Sequence, residues 1–361
     1  MSRKAIFVAA TGQNVGKTTV CLGMIAALKK KIPLLGFMKP VGQQHEKVGQ
    51  SLLVDKDVVL FKEYFKLSAH YEDMSPVIFP KGFTRDYLDG KINERALREK
   101  IHRSFEKIST ENDFTIVEGT GHVGVGSIVN LNNASVAASL GLDVVIIAKG
   151  GLGSAFDELA LNKELCDRLG VTISGVILNR VFNEKRTMIL TYFKKALNRW
   201  KIPLIGCIPY NQFLNTPSMQ DFEILFNTKM LSGEHYHYRH FQTIRLVATS
   251  LETFKERIFP NQLIVTPATR EDIILSLIEQ RRFHHQEPQQ GLILTGRHPP
   301  LPALITKLKQ AEIPSLYAAY TSYDAMRMIT SFTAKIRKED ISKVEKAIEL
   351  VENSLDLSLI M

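Results

Sequence analysis

The sequence predicts an α/β protein, with a doubly wound parallel sheet followed by a second, smaller α/β domain. Three observations predict it. Short apolar runs of strand character alternate with segments of helical spacing through the first half of the chain. The first run, Ala5-Ile6-Phe7-Val8, leads through a glycine-containing turn into Gly16-Lys17-Thr18-Thr19, which opens a helix. The alternation breaks near Pro209, Asn211, Asn215 and Pro217, then resumes. Strands that alternate with helices build a parallel sheet with helices on both faces. A boundary near residue 220 gives domains of residues 1–219 and 220–361.

The opening turn carries the chemistry. The first amides of a helix have no intrahelical partner, and the helix dipole is positive there, so a phosphate placed at that end collects N–H donors. Residues Thr11, Gly12, Gln13, Asn14, Val15, Gly16, Lys17, Thr18 and Thr19 form such a phosphate-binding loop. Lys17 adds a mobile positive charge, and the Thr18 hydroxyl is placed to ligate Mg²⁺. The usual pattern has glycine five places before Gly16. Here Thr11 stands there, and the glycine comes one place later, at Gly12.

The remaining elements follow in order. Lys29-Lys30-Lys31 closes the first helix, where cations suit the dipole. Leu34-Leu35-Gly36-Phe37-Met38 is a second strand, ended by Lys39-Pro40. Ligands of such sheets lie beyond the carboxyl ends of the strands, which aims Lys39 at the phosphate crevice. A helix begins near Asp55 and Asp57; either acid is a candidate N-cap or faces a metal. Residues 74–89 read as a loop and residues 92–110 as an amphipathic helix. The strand Phe114-Thr115-Ile116-Val117 ends in Glu118, an acid placed to reach Mg²⁺. The Gly- and Asn-rich residues 121–133 read as a substrate loop or lid. Strands then end at Ala148, at Asn179-Arg180 and at Pro209, with Ser154 a candidate helix cap. The Asn179 amide can make a bidentate pair with adenine.

Beyond the boundary, strands are expected at residues 243–248, 263–266, 291–295 and 315–318. Helices are expected at 270–282, 301–311 and 323–332. The run His235-Tyr236-His237-Tyr238-Arg239-His240 reads as a half-exposed strand rather than a metal site. Ile341, Val344, Ile348, Val351 and Leu355 make an apolar stripe that should pack on the second domain or on a second subunit.

Composition narrows the class. The chain has 361 residues, 45% hydrophobic and 23% charged, as a globular protein does. Cys21, Cys166 and Cys207 lie far apart without metal-ligand spacing, which points to a reducing cytoplasm. No run approaches a membrane span, so no membrane role is expected. The formal charge of +9 is scattered rather than patched, and no aromatic-basic platform accompanies it. Nucleic acid is therefore not expected as a partner.

With these motifs placed, the chain resembles the dethiobiotin-synthetase-like branch of P-loop NTPases. The match rests on residues 11–18, on Lys39-Pro40-Val41, on Val117-Glu118-Gly119-Thr120-Gly121 and on Leu178-Asn179-Arg180-Val181. The shifted glycine is typical of that branch. The second half is similar to a DRTGG domain, through residues 263–272 and 292–296, although Ala268-Thr269 and Arg297 depart from the usual glycines and acid. Together the pair resembles the N-terminal region of long phosphotransacetylases. The resemblance implies ATP and Mg²⁺ as cofactors. Lys17 and the loop amides would hold phosphates, and Thr18, Asp57 and Glu118 would hold Mg²⁺. Asn179 would read adenine, and Lys39 would face the γ-phosphate and an attacking carboxylate or carbamate. It also implies a homodimer. Gln43 replaces the small hydroxyl residue of a dethiobiotin synthetase, and no acyltransferase domain fits within the chain, so acetyl transfer is not expected. Two readings remain: an ATP-dependent enzyme acting on a small anionic substrate, or a nucleotide-sensing regulatory module acting on a protein partner.

Overall fold

The computed structural model describes residues 5–283 and 290–361. Its contacts divide the chain into one unit of Met1–Asn211 with Ile336–Met361 and a second of Gln212–Lys335.

In the first unit six strands form one parallel sheet. They are β1 (Ala5–Ala10), β2 (Leu35–Met38), β3 (Phe114–Glu118), β4 (Val144–Lys149), β5 (Ile173–Val181) and β6 (Leu204–Pro209), in the spatial order β6-β5-β4-β1-β3-β2. Every residue of β1 is buried, as expected of a strand covered by helices on both faces. From β1 the chain crosses over to β2 on one side and later returns to β4 on the other. The order thus reverses at β1, and the crevice beyond its carboxyl end is where residues 11–16 lie. Helices α1 (Lys17–Lys29), α2 (Lys56–Phe65), α3 (Glu94–Glu111), α4 (Asn133–Leu140), α5 (Gly153–Arg168) and α6 (Arg186–Asn198) complete the alternation.

Several local expectations change. An antiparallel hairpin, His45–Val48 with Leu52–Asp55, precedes α2 and delivers Asp55 to its N-cap. The stretch 74–89 is not all loop, because Phe83–Leu88 is helical. Ser154 does not cap α5, which already begins at Gly153.

The second unit is a five-stranded sheet. Its strands are β7 (Met230–Ser232), β8 (Thr243–Leu246), β9 (Gln262–Pro267), β10 (Gln290–Thr295) and β11 (Ser315–Ala318), ordered β7-β11-β10-β9-β8. All pairs are parallel except β7 with β11. Helices α7 (Met219–Phe226), α8 (Glu271–Phe283), α9 (Pro302–Gln310) and α10 (Ser322–Ser331) cover it. Separate apolar cores form on its two faces, one around Ile264 and Leu292 and one around Phe222, Phe226 and Ile293. The unit starts earlier than residue 220 because α7 belongs to it: Ser218 and Asp221 make a reciprocal capping box there. The histidine run is not a strand. Successive bonds from Tyr236 N–H to Gly233 O and from Arg239 N–H to Tyr236 O coil it into turns. His237 Nδ1 then lies 2.8 Å from Glu223 Oε2.

The largest correction concerns the tail. Helix α11 (Ile341–Glu352) packs on α1 of the first unit, with Val344, Ala347 and Val351 buried; of the predicted stripe, Ile341 is exposed and Leu355 lies beyond the helix. Buried residues run almost all round α1 because the sheet covers one side and α11 another. Gly23 permits that approach: a Cβ there would lie 2.2 Å from Val351 Cβ. The chain then adds to the sheet edge, where Cys207 N–H donates to Ser354 O at 3.3 Å and Asp356 N–H to Ile205 O at 2.9 Å. Residues 336–361 therefore belong with the phosphate-loop unit rather than with 220–335. Among the described residues no helix is long and apolar enough to cross a membrane.

Gly23→Ala tests this packing by sign. Helix propensity alone predicts a gain of about 1 kcal/mol, whereas the clash with Val351 predicts a net loss of about 1–2 kcal/mol. Urea unfolding measures it, and an unchanged or raised midpoint contradicts the packing argument.

Candidate functional site

The phosphate loop leaves β1 and is fastened on both sides. Thr11 N–H donates to Ile147 O at 2.9 Å, and the Thr11 carbonyl accepts from Asn162 Nδ2 at 3.2 Å. Val15 is buried, and its carbonyl accepts from Asn179 Nδ2 at 2.8 Å. Gln13 and Asn14 are exposed. Gly16 caps α1 at φ 100°, a left-handed conformation, and a Cβ there would come within 2.4 Å of Asn179 Nδ2. No side chain caps α1, so its first amides remain open to an anion. Gly12 carries no such demand, since the nearest atom to a Cβ there is Val15 Cγ2 at 3.5 Å. The steric requirement of this loop lies at Gly16 rather than at the displaced glycine.

The ends of β2 and β3 meet the start of α1. Lys17 Nζ donates to Gly121 O at 2.6 Å, and Thr18 Oγ1 donates to Glu118 Oε1 at 3.3 Å. Lys39 Nζ lies 3.0 Å from Asp55 Oδ1, pairs with Asp57 Oδ2, and lies 3.9 Å from Glu118 Oε1. Lys39 is 6% exposed, and Asp55 and Glu118 are 1% exposed. Asp55 does two jobs: its carboxylate also accepts the Asp57 N–H at 3.0 Å as the N-cap of α2. The structure thus gathers Lys17, Thr18, Lys39, Asp57 and Glu118 at one place and adds Asp55 to them.

Burial governs the ionisation here. It pushes Glu118 up to about 7, against the pull of Lys39. It raises Asp55 as well, with Lys39 again opposing. Burial also lowers Lys17, with Glu118 opposing. For Lys39 the burial penalty is outweighed by Asp57, Asp55 and Glu118, so its ammonium is held above the ordinary lysine range.

Asn179, at the end of β5, is 4% exposed. Its Nδ2 serves Val15 O, and its Oδ1 accepts the Arg180 N–H at 2.9 Å. One N–H and one lone pair remain for a further partner. Two other asparagines matter here: Asn162, not anticipated from the sequence, and Asn133, anticipated only as the last residue of the segment 121–133. Asn133 Oδ1 accepts the Thr120 N–H at 3.0 Å, while its Nδ2 donates to Thr120 O and His122 O. Asn162 Oδ1 accepts the Val123 N–H at 3.1 Å while its Nδ2 holds Thr11 O. Between them they tie the glycine-rich segment after β3 to α4, α5 and the phosphate loop. For Asn162 the sequence signal is a lone amide on an otherwise apolar buried helix face.

The donor set suits Mg²⁺. Among the described residues Glu118 Oε2 is buried with no hydrogen-bond partner, the Thr18 hydroxyl adjoins Glu118, and Asp57 lies on the same Lys39 ammonium. These are hard oxygen donors of the kind Mg²⁺ takes. Among the described residues no three His, Cys, Asp or Glu side chains are arranged as a ready metal cage. Mg²⁺ does not need one, because it binds through one or two carboxylates, phosphate oxygens and water.

Comparison with known proteins assigns the two parts of the chain to two domain families. Residues 4–218 match the AAA domain family, and residues 225–332 match the DRTGG domain. The phosphate acetyltransferase of Pseudomonas aeruginosa is 28% identical over 378 residues, covering 97% of this chain and 50% of that protein. The ATP-dependent dethiobiotin synthetase BioD of Methanococcus vannielii is 30% identical over 205 residues, covering 56% of this chain and 92% of that protein. The chain spans about half the length of the phosphate acetyltransferases it matches. Among solved structures, the MinD cell division protein of Aquifex aeolicus aligns at a TM-score of 0.37 and 16% identity, over 59% of this chain and 84% of that one.

Two outcomes are expected. Gly16→Ala should destabilise the chain by about 1–3 kcal/mol, whereas Gly12→Ala should stay within about 0.5 kcal/mol of wild type. The second concerns pH. Folding raises the Glu118 pKa to about 7, so the folded chain holds that proton more firmly than the unfolded chain. This contribution to stability is present below the ordinary carboxylate range and is lost as pH rises through about 7. Glu118→Gln, which keeps a neutral group, should therefore gain stability relative to wild type between about pH 5 and pH 8. Urea midpoints at the two pH values measure the change, and a constant difference would contradict it.

Proposed function

The chain belongs to the AAA domain family, as a dethiobiotin-synthetase-like phosphate-loop protein joined to a DRTGG domain, and on that premise we propose that it binds Mg²⁺-ATP and transfers or hydrolyses the γ-phosphate. In transfer the acceptor is a carboxylate or carbamate on a small anionic substrate, and in hydrolysis it is water. One observation carries the proposal: two lysines, a threonine hydroxyl and three carboxylates converge beside the uncapped start of α1.

Each group has a task in this reading. The amides of residues 13–19 and Lys17 hold the phosphates, and Gly16 keeps the loop open for them. Thr18, Asp57 and Glu118 hold the metal, which when bound neutralises charge on the phosphate oxygens. Lys39 orients the acceptor and stabilises the charge that develops during transfer. Asn179 offers its remaining N–H and lone pair to the adenine edge. Asn133 and Asn162 fix the glycine-rich segment against which Lys17 is held, and so fix the frame for all of these groups.

A second reading is a nucleotide-sensing module that acts on a metabolic enzyme through the second domain. The observation that favours it is the alignment of both domains, over 97% of the chain, with a phosphate acetyltransferase. Turnover of ATP, with and without candidate carboxylates, separates the two.

Lys17→Ala is expected to abolish ATP binding by calorimetry, and an unchanged affinity removes the site assignment. Lys39→Ala should leave ATP affinity within about three-fold while lowering turnover by about a hundred-fold. Undiminished turnover places Lys39 outside the reacting centre.

A further inference from the structure

We infer that the Lys39 ammonium and a divalent cation compete for one set of carboxylates, so that Lys39 serves as the counter-ion of the site until metal displaces it. The inference rests on the Mg²⁺-nucleotide reading above and adds an exchange within the chain's own side chains.

The first ground is placement. Lys39 Nζ touches Asp55 Oδ1 and Asp57 Oδ2 and lies 3.9 Å from Glu118 Oε1. Asp57 and Glu118 are the two carboxylates that the Mg²⁺ reading requires, and Thr18 already adjoins Glu118. The ammonium therefore sits among the oxygens a metal would take. Two cations on the same buried oxygens repel each other strongly, because little solvent screens them.

The second ground is incomplete satisfaction. Glu118 Oε2 is buried and lacks a hydrogen-bond partner among the described residues. An ammonium has three N–H groups and cannot serve every oxygen of three carboxylates. A buried carboxylate left charged without a counter-charge is costly, so while these carboxylates are ionised the cluster favours a cation among them. Lys39 meets that need imperfectly, which leaves the site ready for an ion of higher charge and coordination number.

The third ground is that Lys39 has somewhere to stay. Asp55 is fixed independently: it caps α2 through the Asp57 N–H, and its own N–H donates to Ser75 Oγ at 3.1 Å. The Lys39 backbone is fixed too, its N–H donating to Met74 O at 2.8 Å. Released from Asp57 and Glu118, the ammonium keeps Asp55 and frees N–H groups for an anion. Asp55 is thus the positioning residue of Lys39. The exchange offers the Lys39 charge to an incoming phosphate or carboxylate only once the metal charge is in place.

Mn²⁺ alone, without nucleotide, is the probe. At about pH 8, where ordinary carboxylates are ionised, free Mn²⁺ is counted by electron paramagnetic resonance. Lys39→Met should bind Mn²⁺ about ten-fold more tightly than wild type, and equal or weaker binding overturns the inference. A second measurement needs no variant. Acetylation of Lys39 in the wild-type chain, read by peptide mass spectrometry, should rise as Mn²⁺ fills the site. Mn²⁺ bound with the labelling of Lys39 unchanged overturns the exchange while leaving the metal reading intact. Absence of Mn²⁺ binding in both proteins, even with ATP added, overturns the metal reading and the exchange together.

Discussion

Three carboxylates share one buried lysine ammonium at the carboxyl ends of two neighbouring strands. Asp55, Asp57 and Glu118 arrive from a hairpin, from the first turn of α2 and from β3, and Lys39 from the end of β2. Removing water from such a group is expensive, and only close pairing offsets it. The elements that supply these residues are therefore bound to one another by charge as well as by apolar packing. Lys17 adds a second ammonium, drawn to the same mouth but held by a backbone carbonyl. With all five groups ionised, one negative charge is in excess, which is the electrostatic condition for capturing a cation.

The phosphate loop is kept in shape by different means. Side-chain amides hold its backbone carbonyls, Asn162 on that of Thr11 and Asn179 on that of Val15. Such bonds fix the backbone without neutralising the field of the helix start. The open amides of α1 thus remain the positive pole of the site while the carboxylates form its negative pole. A ligand carrying phosphate and a divalent cation complements both poles at once.

The tail contributes to the same framework from behind. Helix α11 covers the face of α1 away from the sheet, and residues 354–356 add backbone hydrogen bonds to the β6 edge. The helix that opens the phosphate site is therefore clamped between the sheet and a segment that follows the second unit in sequence. Edge strands left open invite unwanted pairing, and the tail covers this one.

Much of this was legible in the sequence, and the reason is local. A loop whose function depends on glycine, lysine and threonine at fixed offsets announces itself by those offsets, and residues at the ends of apolar strands must lie at one rim of a parallel sheet. That logic located Lys17, Lys39, Glu118 and Asn179 and the alternation of both sheets. It did not show that Asp55 is a lysine partner as well as a cap, since one acid suits either role and only the fold brings Lys39 to it. Nor did it find what Asn133 and Asn162 do, since their value lies in reaching backbone groups far away in the chain. The stripe on α11 announced that the helix packs, but not against what. An apolar face is complementary to any other apolar face, and the choice of α1 rests on a space at Gly23 that only the assembled tertiary structure defines.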